Sequence, residues 1–539
     1  MGGSRIKCFD SQSQSRFEGE GVVHSDNLAI DLANAIVRIL PSSITSCTRV
    51  FMSLAAIPQR DHDRHLLAAA LYQRLSFDEL IICTDTHAAS LSSSTPAELT
   101  VAIGTGITAR IKTKTESFDM SGHGYLIGDE GSAHWIGRQG LNLALRSAEG
   151  RDPQTSLTEL AARKFGVPLK DLADHIHQMP NAVSEIAGFA KVVSAAAENN
   201  DLPALQIIQQ AANEISGLIH DAISRASIET IALVGGVVSG SSLLKRLLIS
   251  EIEKLNLILI EEAVAPLDGL LKLATSKNFH SDLFIVQTSK IPATVWSALY
   301  LEKTVAVLDE ISQSQMTAIV AASEILSDSL ANGGLIHTFG TGHSHLLAEE
   351  IFYRAGGLAA IYPVLDERLM LHKEVVTASQ AERLPNLASE LIQSHPIADG
   401  DVVIVISNSG GNQVIIDFVT ESKKCGAKVI ALTSLRHATS LSARSNSSEK
   451  IHQLADLVLD NCGEVGDASI RIPGATAPLG PTSTIGGSAI LHAIVIGAVT
   501  NLLREGIAHE IFLSSNLKGG DENNQAIFDK FSSVIHLYN

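Results

Sequence analysis

Short apolar runs that end in Gly, Ser, Thr or Asp, and then give way to an amphipathic helical pattern, recur along most of the 539 residues. Runs of this length between helical patterns are typical of buried strands in parallel sheets, so they predict an α/β fold. Ligands of such sheets bind beyond the carboxyl ends of the strands, which directs attention to the polar turns that follow the runs. The clearest runs are residues 80–84, 99–103, 230–234, 334–339, 402–407, 428–433 and 457–460.

The chain is long enough for about three or four compact units, and its sequence suggests one main boundary. Residues 152–227 are almost entirely helical in pattern. Polar residues and proline accumulate over 276–291, and a long helical pattern follows over 293–332. We therefore expect one domain over residues 1–285 and another over 292–539.

Composition excludes several functional classes. The formal net charge is −18, which disfavours binding to polyanions, so we expect neither nucleic acid nor a membrane as a partner. Backbone amides can still hold small phosphorylated ligands. The five cysteines are odd in number and lack paired spacing, so we expect no disulfide framework, no bound metal cluster and a cytoplasmic location. The apolar run 490–503 is expected to be too short to span a bilayer.

Four features of the first half have the composition of a phosphate site with a nearby base. Glycines let the backbone approach phosphates closely, and a hydroxyl adds a donor. A carboxylate at a strand end between such turns can take a proton from a substrate hydroxyl. Each feature alone is more often a plain turn or a helix cap, but their order supports a joint role. In chain order they are Gly2-Gly3-Ser4, Asp85, Gly104-Thr105-Gly106 and Gly235-Gly236.

The stretch around Gly128-Asp129-Glu130-Gly131-Ser132 resembles the signature of the N-acetylglucosamine kinase and BadF/BadG-type ATPase family. The resemblance covers about residues 1–275 and implies a ribonuclease H-like (actin-like ATPase) fold that phosphorylates an amino sugar with ATP and Mg²⁺. It implies that Asp85 is the catalytic base. Asp129, Glu130 and Asn27 would bind sugar hydroxyls, although a solvated turn is the alternative for the first two. Phosphate or adenosine would contact Gly2, Gly3, Ser4, Gly104, Thr105, Gly106, Gly235 and Gly236.

The beginning of the sequence departs from that family. Its members have a first strand ending in Asp-Gly-Gly-Gly, whereas this sequence begins Met1-Gly2-Gly3-Ser4 and lacks the Asp that supports Mg²⁺. Either the true start lies upstream or this half has lost kinase activity. We expect the polypeptide as given to be a weak or inactive kinase.

The second half repeats a strand, a turn of glycines and hydroxyl residues, and a helix. Such turns at helix N-termini bind phosphate through hydroxyls, amides and the helix dipole, without a lysine. The pattern resembles the SIS (sugar isomerase) domain over about residues 300–539, which implies a doubly wound parallel sheet and a phosphosugar ligand. Helix capping is the alternative role of the serines. The ligand-site candidates are Thr341, Ser344, Ser407, Ser409, Thr433 and Ser434.

Catalysis by this half would need a proton-transfer pair. Resemblance to the phosphoheptose isomerases implies Glu350 (or Glu349) and His492, which could isomerise a sugar phosphate or eliminate a lactyl ether, as in the muramic acid phosphate etherases. A structural role for His492 is also open. Alternative histidines are His343, His345 and His372.

The sequence thus predicts an amino-sugar enzyme whose first half phosphorylates an N-acetylhexosamine and whose second half binds and transforms the 6-phosphate product. The alternative is a non-catalytic phosphosugar sensor with a degenerate kinase half. A transcription regulator would need a basic helix-turn-helix, which the N-terminus does not offer. We expect a homodimer that pairs through the apolar helix over 485–503.

Overall fold

The computed structural model describes residues 5–20, 22, 27–55, 57–58, 60–92, 97–114, 116–179, 181–260, 266–275, 283–440 and 449–539. Gly2, Gly3 and Ser4 lie outside these residues. The chain divides into two compact units, Met1–Trp296 and Ser297–Asn539.

The first unit alternates strands with helices. Its strands are β1 (Arg5–Asp10), β2 (Ser15–Glu20), β3 (Arg49–Leu54), β4 (Glu79–Thr84), β5 (Leu99–Ile103), β6 (Ile107–Lys112), β7 (Ser117–Ser121), β8 (Thr230–Val234), β9 (Ile258–Leu259) and β10 (Phe284–Gln287). Its helices are α1 (Leu28–Ile39), α2 (Asp61–Tyr72), α3 (Asp85–Ser92), α4 (Ala133–Ala148), α5 (Leu157–Phe165), α6 (Leu172–His177), α7 (Ala182–Glu198), α8 (Leu202–Arg225), α9 (Gly236–Gly240), α10 (Ser242–Lys254) and α11 (Pro266–Thr275). Helix α12 (Ala293–Ser314) spans the boundary between the units.

A five-stranded sheet in the order β7-β6-β5-β8-β9 is the centre of the first unit. Strand β5 lies antiparallel to β6 and parallel to β8, with Ala102 opposite Val234. Leu99, Val101 and Ile103 are fully buried in the hydrophobic core. Because β5 and β8 run in the same direction, the turns that follow them lie side by side at one edge of the sheet.

The remaining strands form two smaller sheets. The antiparallel hairpin β1–β2 is one sheet, and β3 lies parallel to β4 in a second sheet of order β10-β4-β3. The series β1-β2-α1-β3-α2-β4 places a hairpin before a parallel pair of strands. The five-stranded sheet has the same order, with the antiparallel pair β6–β7 before the parallel pair β8–β9. In the described part of the chain, no strand pairs with both β1 and β3.

The second unit has a sheet of five parallel strands. They are β11 (Ile336–Gly340), β12 (Ile361–Val364), β13 (Val402–Ile406), β14 (Lys428–Thr433) and β15 (Leu457–Asp460), in the order β12-β11-β13-β14-β15. The helices are α13 (Met316–Ala331), α14 (Ser344–Glu350), α15 (Val375–Ala381), α16 (Leu387–Ser394), α17 (Gln413–Lys424), α18 (Leu435–Ser440), α19 (Ile451–Leu454), α20 (Ser483–Arg504) and α21 (Gly520–Phe531).

Strand β13 is buried on both faces. Val402, Ile404 and Ile406 belong to the core cluster formed with α13 and α20, whereas Val403 and Val405 belong to the cluster formed with α16 and α17. Burial on both faces explains why a central parallel strand has a continuous apolar sequence. The predicted α/β fold is confirmed, and each of the seven predicted strands is observed with ends shifted by no more than two residues.

The apolar run 490–503 lies within a longer helix than expected. Helix α20 has 22 residues, and its length and mean hydropathy of 1.7 alone would allow it to cross a membrane. Its Ile490, Leu491 and Ile494 are fully buried in the core cluster that includes α13. Core helices with this burial pass the same length and composition test, so α20 is weak evidence for a membrane span.

Asp401 holds together the amino ends of β11 and β13. Its carboxylate accepts hydrogen bonds from the Leu335 amide (2.8 Å), the Ala398 amide (2.8 Å) and His337 Nε2 (3.1 Å). Burial alone would raise the pKa of Asp401, but the bonds from His337 and the two amides outweigh burial and lower that pKa. The ionised carboxylate is therefore the form that the folded unit favours.

We expect Asp401→Asn to lower the free energy of unfolding of the second unit by about 1–3 kcal/mol near neutral pH, because an amide cannot accept all three bonds. A carboxyl with a lowered folded pKa stabilises above its unfolded value of about 3.9 and loses that effect as pH falls through the folded value. The difference between wild type and variant should therefore shrink in acid. Denaturant unfolding at several pH values measures it.

Asp399→Asn is the matched control, since Asp399 is an exposed carboxylate two residues away. This variant should unfold like the wild type at every pH. A difference between Asp401→Asn and wild type that is constant from neutral to acid pH would contradict the role assigned to the ionised carboxylate.

Candidate functional site

The turn Gly104–Gly106 closes on the first turn of α4. The Ala133 amide donates to the Gly104 carbonyl (2.9 Å) and the His134 amide to the Thr105 carbonyl (3.2 Å). No atom lies within 4 Å of the position where a Cβ on Gly104 would stand. The space above this turn is open, as a phosphate cradle requires.

Gly235 begins the neighbouring turn, after β8. Its φ of +110° is left-handed, and a Cβ there would collide with the Ile103 carbonyl oxygen at the end of β5. Only glycine fits this contact. The next residue, Gly236, has nothing within 4 Å of its Cβ position. The two glycine turns therefore stand side by side at one edge of the sheet, with open space at the Cβ positions of Gly104 and Gly236.

Asp129 extends into the first of these turns. It is buried, with a φ of +62°. Its Oδ1 accepts a hydrogen bond from the Ile107 amide (3.4 Å), and its Oδ2 lies 2.6 Å from the position of a Cβ on Gly106. Burial raises the pKa of the Asp129 carboxyl, and the Ile107 amide opposes that rise. The structure thus brings together two features that the sequence suggested separately, the glycine turn and Asp129.

The other predicted residues of the first unit have different environments. Asp85 is the first residue of α3, directly after β4, and α3 packs against β5. Burial raises the pKa of Asp85, and a hydrogen bond with Ser53 on β3 opposes the rise. A carboxyl with a raised pKa is a better proton acceptor when ionised. Glu130 is exposed next to Asp129, and Asn27 is exposed immediately before α1.

In the second unit, the turns after β11 and β13 meet at one edge of the sheet because Gly340 pairs with Ile406 in parallel register. The six predicted hydroxyls divide into two groups. Three shape the turns: Ser407 Oγ accepts from the Gly410 amide (3.1 Å), Thr433 Oγ1 donates to the Asn408 carbonyl (3.1 Å), and Ser434 Oγ donates to the Gly463 carbonyl (2.7 Å). Within the described residues, no hydrogen bond occupies the hydroxyls of Thr341, Ser344 and Ser409, so these three can face a ligand.

Two side-chain contacts that the sequence did not predict connect the turns. Asn412 Nδ2 donates to Glu382 Oε2 (2.8 Å), and Glu382 Oε1 lies 3.3 Å from the Cβ position of Gly342. Glu382 lies in the segment between α15 and α16, away from any strand end, so no sequence pattern marked it. In the second contact, Asn461 Nδ2 donates to Asn408 Oδ1 (2.8 Å) and joins the turn after β15 to the turn after β13.

Glu350 and His492, the predicted proton-transfer pair, are in contact. Glu350 Oε1 accepts hydrogen bonds from His492 Nε2 (3.2 Å) and Ser488 Oγ (3.4 Å). Arg354, which the sequence analysis missed, forms an ion pair with Glu350, and its Nη1 lies 3.4 Å from His492 Nε2. Burial alone would raise the pKa of Glu350, but His492 and Arg354 lower it. Glu350 is therefore ionised and able to act as a base.

The alternatives to this pair are placed differently. Glu349 is exposed, as are His343 and His372. His345 is buried, and its Nδ1 bonds the Gly342 carbonyl (2.7 Å), which fixes the turn after β11. Among the residues with described positions, no group of three or more His, Cys, Asp or Glu could hold a metal ion.

Comparison with known families divides the chain in the same way. Residues 16–266 match the sequence model of the BadF/BadG/BcrA/BcrD ATPase family, and residues 299–434 match that of the SIS domain. Both expected resemblances are confirmed, as is the order of an actin-like ATPase fold followed by a SIS fold.

Curated relatives match over a length close to that of the second unit. A UPF0309 protein of Listeria innocua is 38% identical over 238 residues, which are 44% of this chain and 96% of the relative. A UPF0309 protein of Geobacillus kaustophilus is 39% identical over 236 residues, 44% of this chain and 94% of the relative.

Solved structures resemble each part at low identity. A candidate N-acetylglucosamine kinase from Chromobacterium violaceum is 20% identical with a TM-score of 0.40, covering 50% of this chain and 96% of that one. A phosphoheptose isomerase from Neisseria gonorrhoeae is 19% identical with a TM-score of 0.27, covering 39% of this chain and 100% of that one. The chain belongs to the UPF0309 family over 44% of its length, and it joins a BadF/BadG/BcrA/BcrD-type ATPase domain to a SIS domain.

Proposed function

We propose that the protein is a bifunctional enzyme of amino-sugar metabolism. The N-terminal unit transfers a phosphoryl group from ATP, bound with Mg²⁺, to an N-acetylhexosamine. The C-terminal unit binds the resulting 6-phosphate and isomerises it or cleaves a substituent from it. The combination of a sugar kinase-like ATPase with a phosphosugar-binding domain supports a role in carbohydrate metabolism.

The observation that carries the kinase proposal is the contact of Asp129 with Gly106. A carboxylate suited to accept hydrogen bonds from sugar hydroxyls lies against the turn that would hold ATP phosphates. Donor and acceptor substrates would then meet at this turn, and proximity of this kind contributes much of the rate in phosphoryl transfer. Asp85 takes the proton of the sugar hydroxyl while the hydroxyl oxygen forms a bond to the γ-phosphorus and the bond from that phosphorus to ADP breaks.

The contact of Glu350 with His492 supports chemistry in the second unit. An ionised Glu350 can remove a proton next to a sugar carbonyl, and His492 can return one to the neighbouring oxygen or carbon. Thr341, Ser344 and Ser409 hold the phosphate with their unoccupied hydroxyls, which suits a site that has no lysine in its turns.

A second candidate function is a phosphosugar sensor that does not turn over. Within the described residues, hairpin β1–β2 forms a sheet separate from β10-β4-β3. This separation favours the sensor, because Asp85 follows a strand of the smaller sheet and not of a continuous one. Binding of ATP and sugar phosphate without product formation would support this function over the enzyme.

We also propose a homodimer that pairs through α20. Ile496 and Leu503 on this helix are 68% and 62% exposed, and Ile485 lies on the same face at helical spacing. Exposed apolar side chains in a line are typical of an interface. Light scattering coupled to size-exclusion chromatography should give twice the chain mass, and a monomer at all concentrations would refute the dimer.

Asp85→Asn should reduce ATP-dependent phosphorylation of N-acetylglucosamine by about 10²-fold or more, because the variant lacks the base. Sugar-dependent ADP release from the full chain measures this rate. Asp78→Asn is the matched control, since Asp78 is an exposed carboxylate just before β4. Equal loss in both variants, or none in either, would remove Asp85 from the mechanism.

Glu350→Gln should abolish isomerase or lyase turnover of hexosamine 6-phosphates, a loss of about 10²-fold or more, and leave phosphosugar binding intact. Product formation followed by NMR gives the rate, and the thermal shift with ligand reports binding. Glu349→Gln is the control on the adjacent, exposed carboxylate. Unchanged turnover in Glu350→Gln would exclude Glu350 as the base.

A further inference from the structure

Helix α12 crosses the amino end of α20, outside the hydroxyl turns proposed to bind phosphosugar. The Tyr300 hydroxyl donates to the Pro481 carbonyl (2.8 Å), and a Cβ on Gly480 would stand 2.7 Å from the Tyr300 ring. About two helical turns further along α12, Val307 Cγ1 lies 3.5 Å from the Cβ position of Gly486. Side chains of α12 between Tyr300 and Val307 therefore lie over the first turn of α20.

Lys303 occupies that interval. It lies on the inward face of α12, four residues from buried Leu299 and four from Val307. It is half-buried, and within the described residues its amine forms no ion pair or hydrogen bond. Burial lowers the pKa of Lys303; Glu464 opposes this shift and Arg471 adds to it. A half-buried amine without a hydrogen-bond partner is costly, and an anionic ligand would offset that cost.

Thr482, the residue before α20, has a buried hydroxyl with an unused donor. Its side chain is 1% exposed, and its hydroxyl has no hydrogen-bond partner. It does not cap the helix. Asp467 satisfies only the Ser483 amide (3.1 Å) and hydroxyl (2.6 Å) at this end. The first turn of a 22-residue helix, the buried Thr482 hydroxyl just before it and the half-buried Lys303 of α12 thus belong to the same crossing of two helices.

This site adjoins the phosphosugar turns. The Asn461 backbone carbonyl lies 2.8 Å from the Cβ position of Gly486 in the first turn of α20. The side-chain Nδ2 of Asn461 donates to Asn408 Oδ1 in the turn after β13. Glu464 and Asp467 already offset part of the positive charge, so the site suits a monoanion better than a second phosphate dianion.

We propose that Lys303, Thr482 and the first turn of α20 form an anion subsite that binds a carboxylate of the phosphosugar ligand. The inference rests on the proposed binding of phosphosugars by the SIS domain. It narrows the ligand class to sugar phosphates that carry a carboxylate.

Two matched ligand pairs test this subsite in the full chain by calorimetry. Each pair has a carboxylate in only one member: N-acetylmuramic acid 6-phosphate against N-acetylglucosamine 6-phosphate, and 6-phosphogluconate against glucose 6-phosphate. A charge-assisted hydrogen bond typically changes affinity about tenfold. At least one of the two acids should therefore bind about tenfold tighter than the sugar phosphate that lacks the carboxylate.

Lys303→Met and, separately, Thr482→Val should remove most of that preference. Both variants should leave the affinity for the phosphosugars without a carboxylate unchanged. Lys518→Met, at an exposed lysine, is the control and should retain the preference. Because Lys303→Met could disturb packing, the hydroxyl-to-methyl change at Thr482 provides an independent variant of nearly equal shape.

Each outcome is decisive. If phosphosugars bind but the carboxylate gives no gain in affinity, the subsite is overturned and the proposed function stands. Failure of every phosphosugar to bind the wild type overturns the proposed function itself. A preference that survives in both variants places the carboxylate elsewhere, and weaker binding of inorganic phosphate in Lys303→Met would assign the subsite to phosphate instead.

Discussion

Parallel pairing of strands that are buried on both faces is the constraint on which both candidate sites depend. In a parallel sheet every strand ends at the same edge, so the turns after β5 and β8, and those after β11, β13 and β14, are brought together by backbone hydrogen bonds alone. The core positions of β13 supply the burial that keeps this register fixed, because a slip would move each valine and isoleucine between the two clusters. The polar turns need little stabilisation of their own.

Anion binding without cationic turns suits an acidic chain. With a net charge of −18, the chain would repel phosphorylated ligands at long range, so local donors must supply the attraction. In the proposed function, open glycine turns in the first unit and unoccupied hydroxyls in the second would provide such donors. One cationic group instead adjusts a carboxylate: Arg354 favours the ionised form of Glu350.

The sequence predicted the strands and the polar turns because both are local signals. A buried strand needs a run of apolar residues, and a turn at its end needs glycine or a short hydroxyl side chain. Asp129 was found because the motif around it is specific. Glu382 and Arg354 were not found, since neither stands at a strand end. Glu382 acts through a partner distant in sequence, and Arg354 lies beyond the end of α14, four residues after its partner Glu350. The division of the six hydroxyls was also beyond sequence, because serines that cap a turn and serines that face a ligand have the same neighbours along the chain.

The sequence by itself therefore determined the α/β class, the two families and the polar turns at the strand ends, because apolar periodicity and glycine placement are properties of contiguous residues. Tertiary structure alone decided that Asp129 lies against Gly106, that Glu350 pairs with His492 rather than with another histidine, and that α12 packs on the amino end of α20. The physical reason is that a side chain's protonation and hydrogen bonds depend on groups within a few ångströms, and folding brings those groups from positions far apart in the chain.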